Sequence, residues 1–418
     1  MVIHEFWRRA GLRDRGFVLI TTLLVLVLLS GTVYAMLAST ARTTQSATTA
    51  RDFGQSGKLA DVAIQDAVYQ LNENGKKPGA SFTSPYQDKS GGWEWSIGAA
   101  TGIGARTATI TAAGTFRGTT RKVSAEVGSL VVGGYTAGTN EVVYELSPET
   151  AFSHVAIGEN ITMQNGAGVG AATKFVTGRV GVLKNAPVMT PAAGTSSIDD
   201  GRYMLYGKDA SQALQNNAVQ VPVGLRLDAR FVTDNADRCV GVSPVPWVAS
   251  ENGGRLVAND NTGCYSTMNF DVPTIIQGSG AFNAFATGQV TISANITAPP
   301  STGLNIYASG NVSFDVDKAT TSSLTVNNTF IYAPNGTCKT LVTGQPAEFR
   351  STTKSLDFTG SLACNTILVA GKFAPATPIN PLGSKRNAAG TLLPGLYNSE
   401  IWYLADYTQP AGIRGPAS

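Results

Sequence analysis

The sequence predicts a mainly β protein led by one long N-terminal α-helix. An uncharged run from Phe17 to Ala41 continues into an amphipathic pattern, and beyond it come many short alternating segments set off by glycine turns. Only 14% of the residues are charged and 46 are glycine, a composition that favours strands and turns over further long helices. With 418 residues the chain has room for more than one folded unit.

The helix comes first. Some 20 apolar residues suffice to cross a hydrocarbon core, and the stretch GFVLITTLLVLVLLSG supplies most of that length. Arg8, Arg9, Arg13 and Arg15 precede it and Arg42 follows, so the N-terminal flank is expected in the cytoplasm and the remainder outside. AMLAST, Ala35 to Thr40, resembles a signal-peptidase site. The helical pattern nevertheless runs on without proline to Asn74, with Ala60, Ile64, Ala67, Val68 and Leu71 on one face and Lys58, Asp61, Gln65, Tyr69 and Asn72 on the other. Gly54 and Gly57 are its weakest points, and Gly75 and Pro78 end it.

Next, WEWSIG, RTATITAAGTFRG and TTRKVSAEVGS alternate apolar and polar residues between Ser81 and Ser129. They predict an antiparallel meander that turns Trp93, Trp95, Ile97, Ile110, Val123 and Val127 towards the helix.

The larger remainder is built of short strands. GENITM (Gly158 to Met163), GQVTIS (Gly288 to Ser293) and GNVSFD (Gly310 to Asp315) share a form, the last two 22 residues apart, an interval that suits one rung of a β-solenoid. A β-sandwich or irregular β domain is the competing architecture. Ile306, Leu324, Val326, Phe330, Leu362, Ile367 and Val369 are expected to point inward. Residues 190–278 break the repeat and read as an insertion or large loop. In the tail, Tyr397, Trp402 and Tyr403 serve either a closing strand or a docking surface.

The four cysteines, Cys239, Cys264, Cys338 and Cys364, are spaced as two local pairs and include no CxxC. Disulfides in an oxidising compartment fit better than zinc, although sequence leaves three connectivities open.

The basic leader, the glycine before Phe17, the apolar half-helix and the amphipathic half joined to a β-rich head together resemble a type IV pilin or pseudopilin. The resemblance implies cleavage between Gly16 and Phe17 by a prepilin peptidase, N-methylation of Phe17, and a helix that passes from the inner membrane into a filament of other pilins. Leu19, Ile20, Leu23 and Leu24, with Phe17 and Thr21, would then face first lipid and later neighbouring subunits. Shaft-building pilins usually carry glutamate where this chain has Thr21. That departure points to a minor pilin, at or near the tip, delivered to the pilus at the cell surface.

The implied layout is leader 1–16, helix 17–74, meander 75–135, solenoid-like domain 136–385 and C-terminal segment 386–418. A pilin-type head with a β-solenoid graft also resembles, in architecture, competence-associated and PilX-like minor pilins. The work so implied is pilus assembly, DNA uptake or adhesion to a host or other surface; a membrane-anchored binding protein outside any filament is the alternative.

Catalysis, cofactor and metal are not expected. His4 and His154 are the only histidines, too few for the usual nucleophile and base arrangements. Asn165 to Ala172 lacks the Lys-Ser/Thr of a phosphate loop. Calcium would have to use Thr233 to Arg238, Ile198 to Gly201 or Phe314 to Lys318, which lack the distal glutamate of a calcium loop. The leader accounts for +2 of the net charge of +3, so nucleic acid would need a local patch. Candidates are Arg106, Arg117, Arg121 and Lys122 on the meander and Arg350, Lys354, Lys385 and Arg386 further on, with Tyr307, Tyr332 and Phe349 to stack on bases.

Overall fold

The structure is a computed structural model. It describes residues 6–408 except 74–75, 84–90, 102–105, 137–141, 166–174, 186, 191–197, 200–202, 207–218, 222–224, 235–242, 320–322, 343–344, 347–353 and 383–398.

One helix, α1 (Phe6–Asn72), runs for 67 residues, about 100 Å at the usual rise. It begins upstream of the expected start, carrying Gly16 and Phe17 as helical backbone, and it passes through Gly54 and Gly57 without a break. Its distal half lies on an antiparallel sheet of β1 (Ser81–Thr83), β2 (Gly92–Ile97), β3 (Thr107–Phe116), β4 (Thr119–Thr136) and β5 (Val142–Leu146).

Ala60, Ala63, Ile64, Ala67 and Leu71 meet Trp95, Ile97, Ile110, Val123 and Val127 in one buried cluster, with Val68 and Trp93 at its margin. Small helical residues let the sheet come close. At Gly114 the approach is so tight that a Cβ would collide with the Ser56 carbonyl and the Ala60 nitrogen. The β3–β4 turn is Arg117-Gly118, both at positive φ (48° and 82°), the geometry that two-residue hairpins favour.

Two distant segments complete the head sheet. Leu225–Leu227 pairs in parallel with β5, and Ser399–Thr408 pairs antiparallel with β4. The tail is therefore a closing strand: Trp402 is buried against α1 and Tyr403 on the far side of the sheet.

Before and after the Leu225–Leu227 return the chain builds a parallel β-solenoid. The 22-residue interval is one rung, since Val290 lies in register with Val312. The column continues through Cys338 and Ile367 to Ile161, so all three similar motifs stack on one line. Their glycines have a steric cause. A Cβ on Gly310 would stand 2.7 Å from the Gly288 carbonyl oxygen, and one on Gly336 would strike the Gly310 carbonyl.

Stacking order differs from chain order. One arm holds the rungs from Ala156 to Val221 and the other those from Val245 to Ala374. The last strand of the second arm, Ser355–Ala374, pairs with the first strands of the first arm, Ala156–Gly158 and Asn160–Asn165. Much of the block read as an insertion is thus rung material: Tyr203–Tyr206, Val219–Val221, Val245–Val248, Arg255–Val257 and Asn261–Phe270 all join the ladder. Parallel pairing needs only matched backbone edges, so irregular spacing concealed these rungs.

The solenoid interior is apolar. Ile306, Leu324, Val326, Leu362, Ile367 and Val369 point into it, and Phe314, Phe358 and Phe373 follow one another along it in edge-on and tilted contacts at centroid distances of 5.8 and 6.2 Å. Phe330 does not: the neighbouring Ile331 takes the inward place after an irregularity in register between Val326 and Thr329. Phe330 instead joins Phe285, Tyr307 and Tyr332 on the wall that meets the head.

Candidate functional site

Among the described residues, the N-terminal half of α1 from Leu19 onward has no other element packed on it. Leu19, Ile20, Leu23 and Leu24 are 58–69% exposed, Tyr34 reaches 77%, and Thr21 is exposed with them. The helix is long and apolar enough to cross a membrane. Beyond Met36 the surface stays uncharged except at Arg42 as far as Ala50, and Thr40, Thr43, Thr44, Thr48 and Thr49 each donate a hydroxyl hydrogen bond to a carbonyl one turn back. Such bonds satisfy the polar atoms within the helix. From Asp52 onward the head covers one face. The same rod is bare at one end and clothed at the other.

The second feature is the joint between head and solenoid. Leu130, Val131, Val132 and Leu146 of the head share a continuous buried cluster with Phe285, Tyr307, Phe330, Tyr332 and Ala363 of the rungs. Phe152 lies among these rings, 5.5 Å from Phe330 and 6.1 Å from Tyr307 by centroid. Tyr307 and Tyr332 are therefore fully buried and cannot stack on bases from solution. They glue the solenoid to the head.

Polar groups fix the alignment of this joint. The Tyr332 hydroxyl accepts from the Asp228 N–H at 2.6 Å and lies 3.1 Å from the Leu146 carbonyl, to which it donates. Glu145, directly opposite Arg226 in the ladder, takes a hydrogen bond from Arg226 Nε at 3.0 Å and another from Arg230 Nη2. Burial and the adjacent Asp228 push Glu145 up to about 7, while Arg230 pulls it down. The group borders a cavity of about 370 Å³ lined also by Glu159, Asn335 and Asn365. Sequence reasoning passed over this cluster; the signal was a glutamate in the otherwise apolar VVYEL and an aspartate flanked by arginines in LRLDAR.

His154 sits on the connector from the head to the first rung. It is 2% exposed, and its Nδ1 is 3.2 Å from the Ser153 hydroxyl. Burial and the nearby Arg179 lower it to about 4, so at neutral pH it is uncharged.

Among the described residues, the candidate nucleic-acid residues do not form one surface. Arg117 and Lys122 are exposed on the β3–β4 hairpin, but Arg121 lies over the Phe53 ring at 5.0 Å and packs beside Gly57. Arg106 faces Glu400 at 3.6 Å. Lys354 donates to the carbonyls of Asp317 and Ala319 at 2.7 and 2.6 Å, which ties down a rung corner. Arg350, Lys385, Arg386, Phe349 and Tyr397 lie outside the described residues.

Cys338 and Cys364 form a disulfide between adjacent rungs, inside the solenoid core. Cys264 is also disulfide-bonded; Cys239 lies outside the described residues. Among the calcium candidates, Asp315 is paired with Lys318 at 3.4 Å, and the segments around Thr233 to Arg238 and Ile198 to Gly201 lie partly outside the described residues. Among the described residues no three His, Cys, Asp or Glu side chains converge as metal ligands would.

The fold and its bare helix define a class: an apolar N-terminal rod, a helix-backed antiparallel head, and a parallel β-solenoid inserted into that head. No family model matches the chain, and no curated protein does. Among solved structures, the competence-associated pilin ComZ from Thermus thermophilus aligns over 85% of this chain and 97% of its own, at 11% identity and a TM-score of 0.27.

Proposed function

We propose that this chain is a minor pilin-like subunit without enzymatic activity, stored in the inner membrane as a single-pass precursor and drawn into a type IV pilus with other pilins. The observation that carries the reading is the division of α1: Leu19 to Leu37 exposed and apolar, Ala60 to Leu71 buried in the head. An apolar rod with no cover of its own requires lipid or neighbouring helices around it. The basic leader with Gly16 and Phe17 supports processing by a prepilin peptidase, and Thr21 supports a place at or near the tip.

Within that reading the solenoid is the outward-displayed part, serving assembly, DNA uptake or adhesion. On the head, Arg117 and Lys122 are exposed cations available to a phosphate backbone.

The test is N-terminal sequencing of the protein from sheared filaments and from membranes, with immunogold labelling of the filaments. A methylated Phe17 terminus and label on pili support the reading. Retention of the leader, or a cut near Ala38, overturns it in favour of a surface protein that stays anchored. Thr21→Glu should leave pilus abundance of the subunit unchanged or lower; increased incorporation along the shaft would remove the basis for tip placement.

A further inference from the structure

We propose that the recess between the head and the corner of the solenoid is a binding site for a neutral sugar. The inference goes beyond the filament role and does not depend on it, since the joint and not α1 forms the recess.

The two walls come from distant parts of the chain. On the head side stand Arg226 and Arg230, with side chains 45% and 44% exposed. Glu145 lies buried beneath them and accepts hydrogen bonds from both guanidiniums, and Asp228 accepts from the Arg230 N–H at 2.9 Å. The two forks are thereby held in place before any ligand arrives. On the solenoid side stand Asn335, Asn365 and Glu159. They are corner residues of three adjacent rungs, since Ala333 pairs with Cys364 and Thr366 with Asn160. The ladder sets successive corners about 4.8 Å apart, and the Glu159 N–H donates to the Asn365 carbonyl at 3.0 Å.

Size and charge narrow the ligand. At about 370 Å³ the recess is within the usual range of small-molecule sites, which favour such joints between folded units. Its charges balance: Glu145 and Glu159 oppose Arg226 and Arg230 along the lining, and Asp228 lies 3.5 Å from Arg230 and Lys184 3.9 Å from Glu159. An anion would meet two carboxylates and a cation two guanidiniums, so neither finds a net opposite charge. Among the described residues the lining has no aromatic ring, and a nucleobase would have nothing to stack on.

What the walls present is a mixture of donors and acceptors side by side: guanidinium N–H groups, a carboxylate, and the oxygen and nitrogen of two carboxamides. Adjacent hydroxyls on a sugar ring, each donor and acceptor at once, match that array. Leu183, Leu227 and Pro334, also in the lining, give the C–H face of the ring apolar contact.

The experiment is saturation-transfer NMR on the full-length protein in a detergent without a sugar headgroup. The probes are the methyl glycosides of glucose, galactose, mannose and N-acetylglucosamine, with inorganic phosphate and acetate as competitors. The expected result is transfer to at least one glycoside that neither anion displaces. Asn335→Ala and Asn365→Ala should each weaken its binding about three- to tenfold, the scale of one neutral hydrogen bond. Ala229→Phe, which fills the recess from its rim, should abolish transfer. Asn335 is exposed, so its variant keeps the fold and decides the matter if Ala229→Phe does not fold. Transfer to none of the glycosides, undiminished affinity in any folded variant, or displacement by phosphate or acetate overturns the proposal.

Discussion

Asn72, the last residue of α1, holds the backbone of Trp402 at both ends of one residue: its amide donates to the Trp402 carbonyl at 2.9 Å and accepts from the Trp402 N–H at 2.8 Å. The contact joins positions 330 residues apart, and it tells how the solenoid is mounted. The chain leaves the head after β5, returns to it at Leu225–Leu227 between the two arms and comes back finally as Ser399–Thr408, so the solenoid is inserted in the head and fastened to it at both ends and in the middle. Pulling on the helix loads the head and not the rungs.

Asn72→Ala should therefore destabilise the head by about 1–2 kcal/mol, two modest hydrogen bonds partly offset by alanine's helix propensity. Pulse proteolysis of the full chain in detergent would show a lower midpoint, with early cleavage near the closing strand. Asn72→Asp, which keeps only the acceptor, should fall between.

Gly114 sets how closely sheet and helix approach. Gly114→Ala places a Cβ against backbone at Ser56 and Ala60, atoms that cannot rotate away. A cost of about 1–3 kcal/mol is expected from overpacking, read from the same proteolysis midpoint. A stability change within about 0.5 kcal/mol would mean that helix and sheet are less tightly joined than this geometry has them.

The helix and the meander were legible because their periods are strict. Ala60, Ile64, Ala67 and Leu71 repeat at helical spacing, and Trp95, Ile97, Ile110 and Val123 alternate, so burial follows from position alone. The joint was not legible. Tyr307 and Tyr332 occupy outward positions on their strands and look exposed until the head is seen to cover them. The rungs from Tyr203 to Phe270 were hidden for a different reason: their partners lie in the same arm but across irregular loops, and parallel ladders leave no local turn signal. Lys354 looked like a free cation because nothing in sequence shows that two carbonyls of the neighbouring corner will surround it.

The Cys338–Cys364 bond closes a 26-residue separation across adjacent rungs. In the chain-entropy account a loop of that size is worth about 3.5 kcal/mol. Replacing both cysteines by alanine should lower the unfolding midpoint of the second arm while leaving α1 on its sheet. Hydrogen exchange would show the loss concentrated between Leu324 and Val369, and equal loss in β2 to β4 would contradict independent stapling of the solenoid.

Corner glycines make the sharpest comparison, because the same substitution has opposite signs at two places. At Gly336 a Cβ would press on the Gly310 carbonyl and lie 3.2 Å from the Ala333 Cβ, and Ala333 is held by the ladder. The rung must open or the corner must shift, and Gly336→Ala should cost about 1–3 kcal/mol. Gly54 has nothing within 4 Å of its virtual Cβ and lies inside a regular helix, where alanine is favoured by about 0.5–1 kcal/mol. Gly54→Ala should accordingly raise the resistance of α1 to proteolysis. If both variants lose stability, Gly54 is kept for a contact made outside the monomer, which filament packing of the exposed helix would supply. If neither does, the corners of the solenoid can yield, and the stacked glycines are not what holds successive rungs at their spacing.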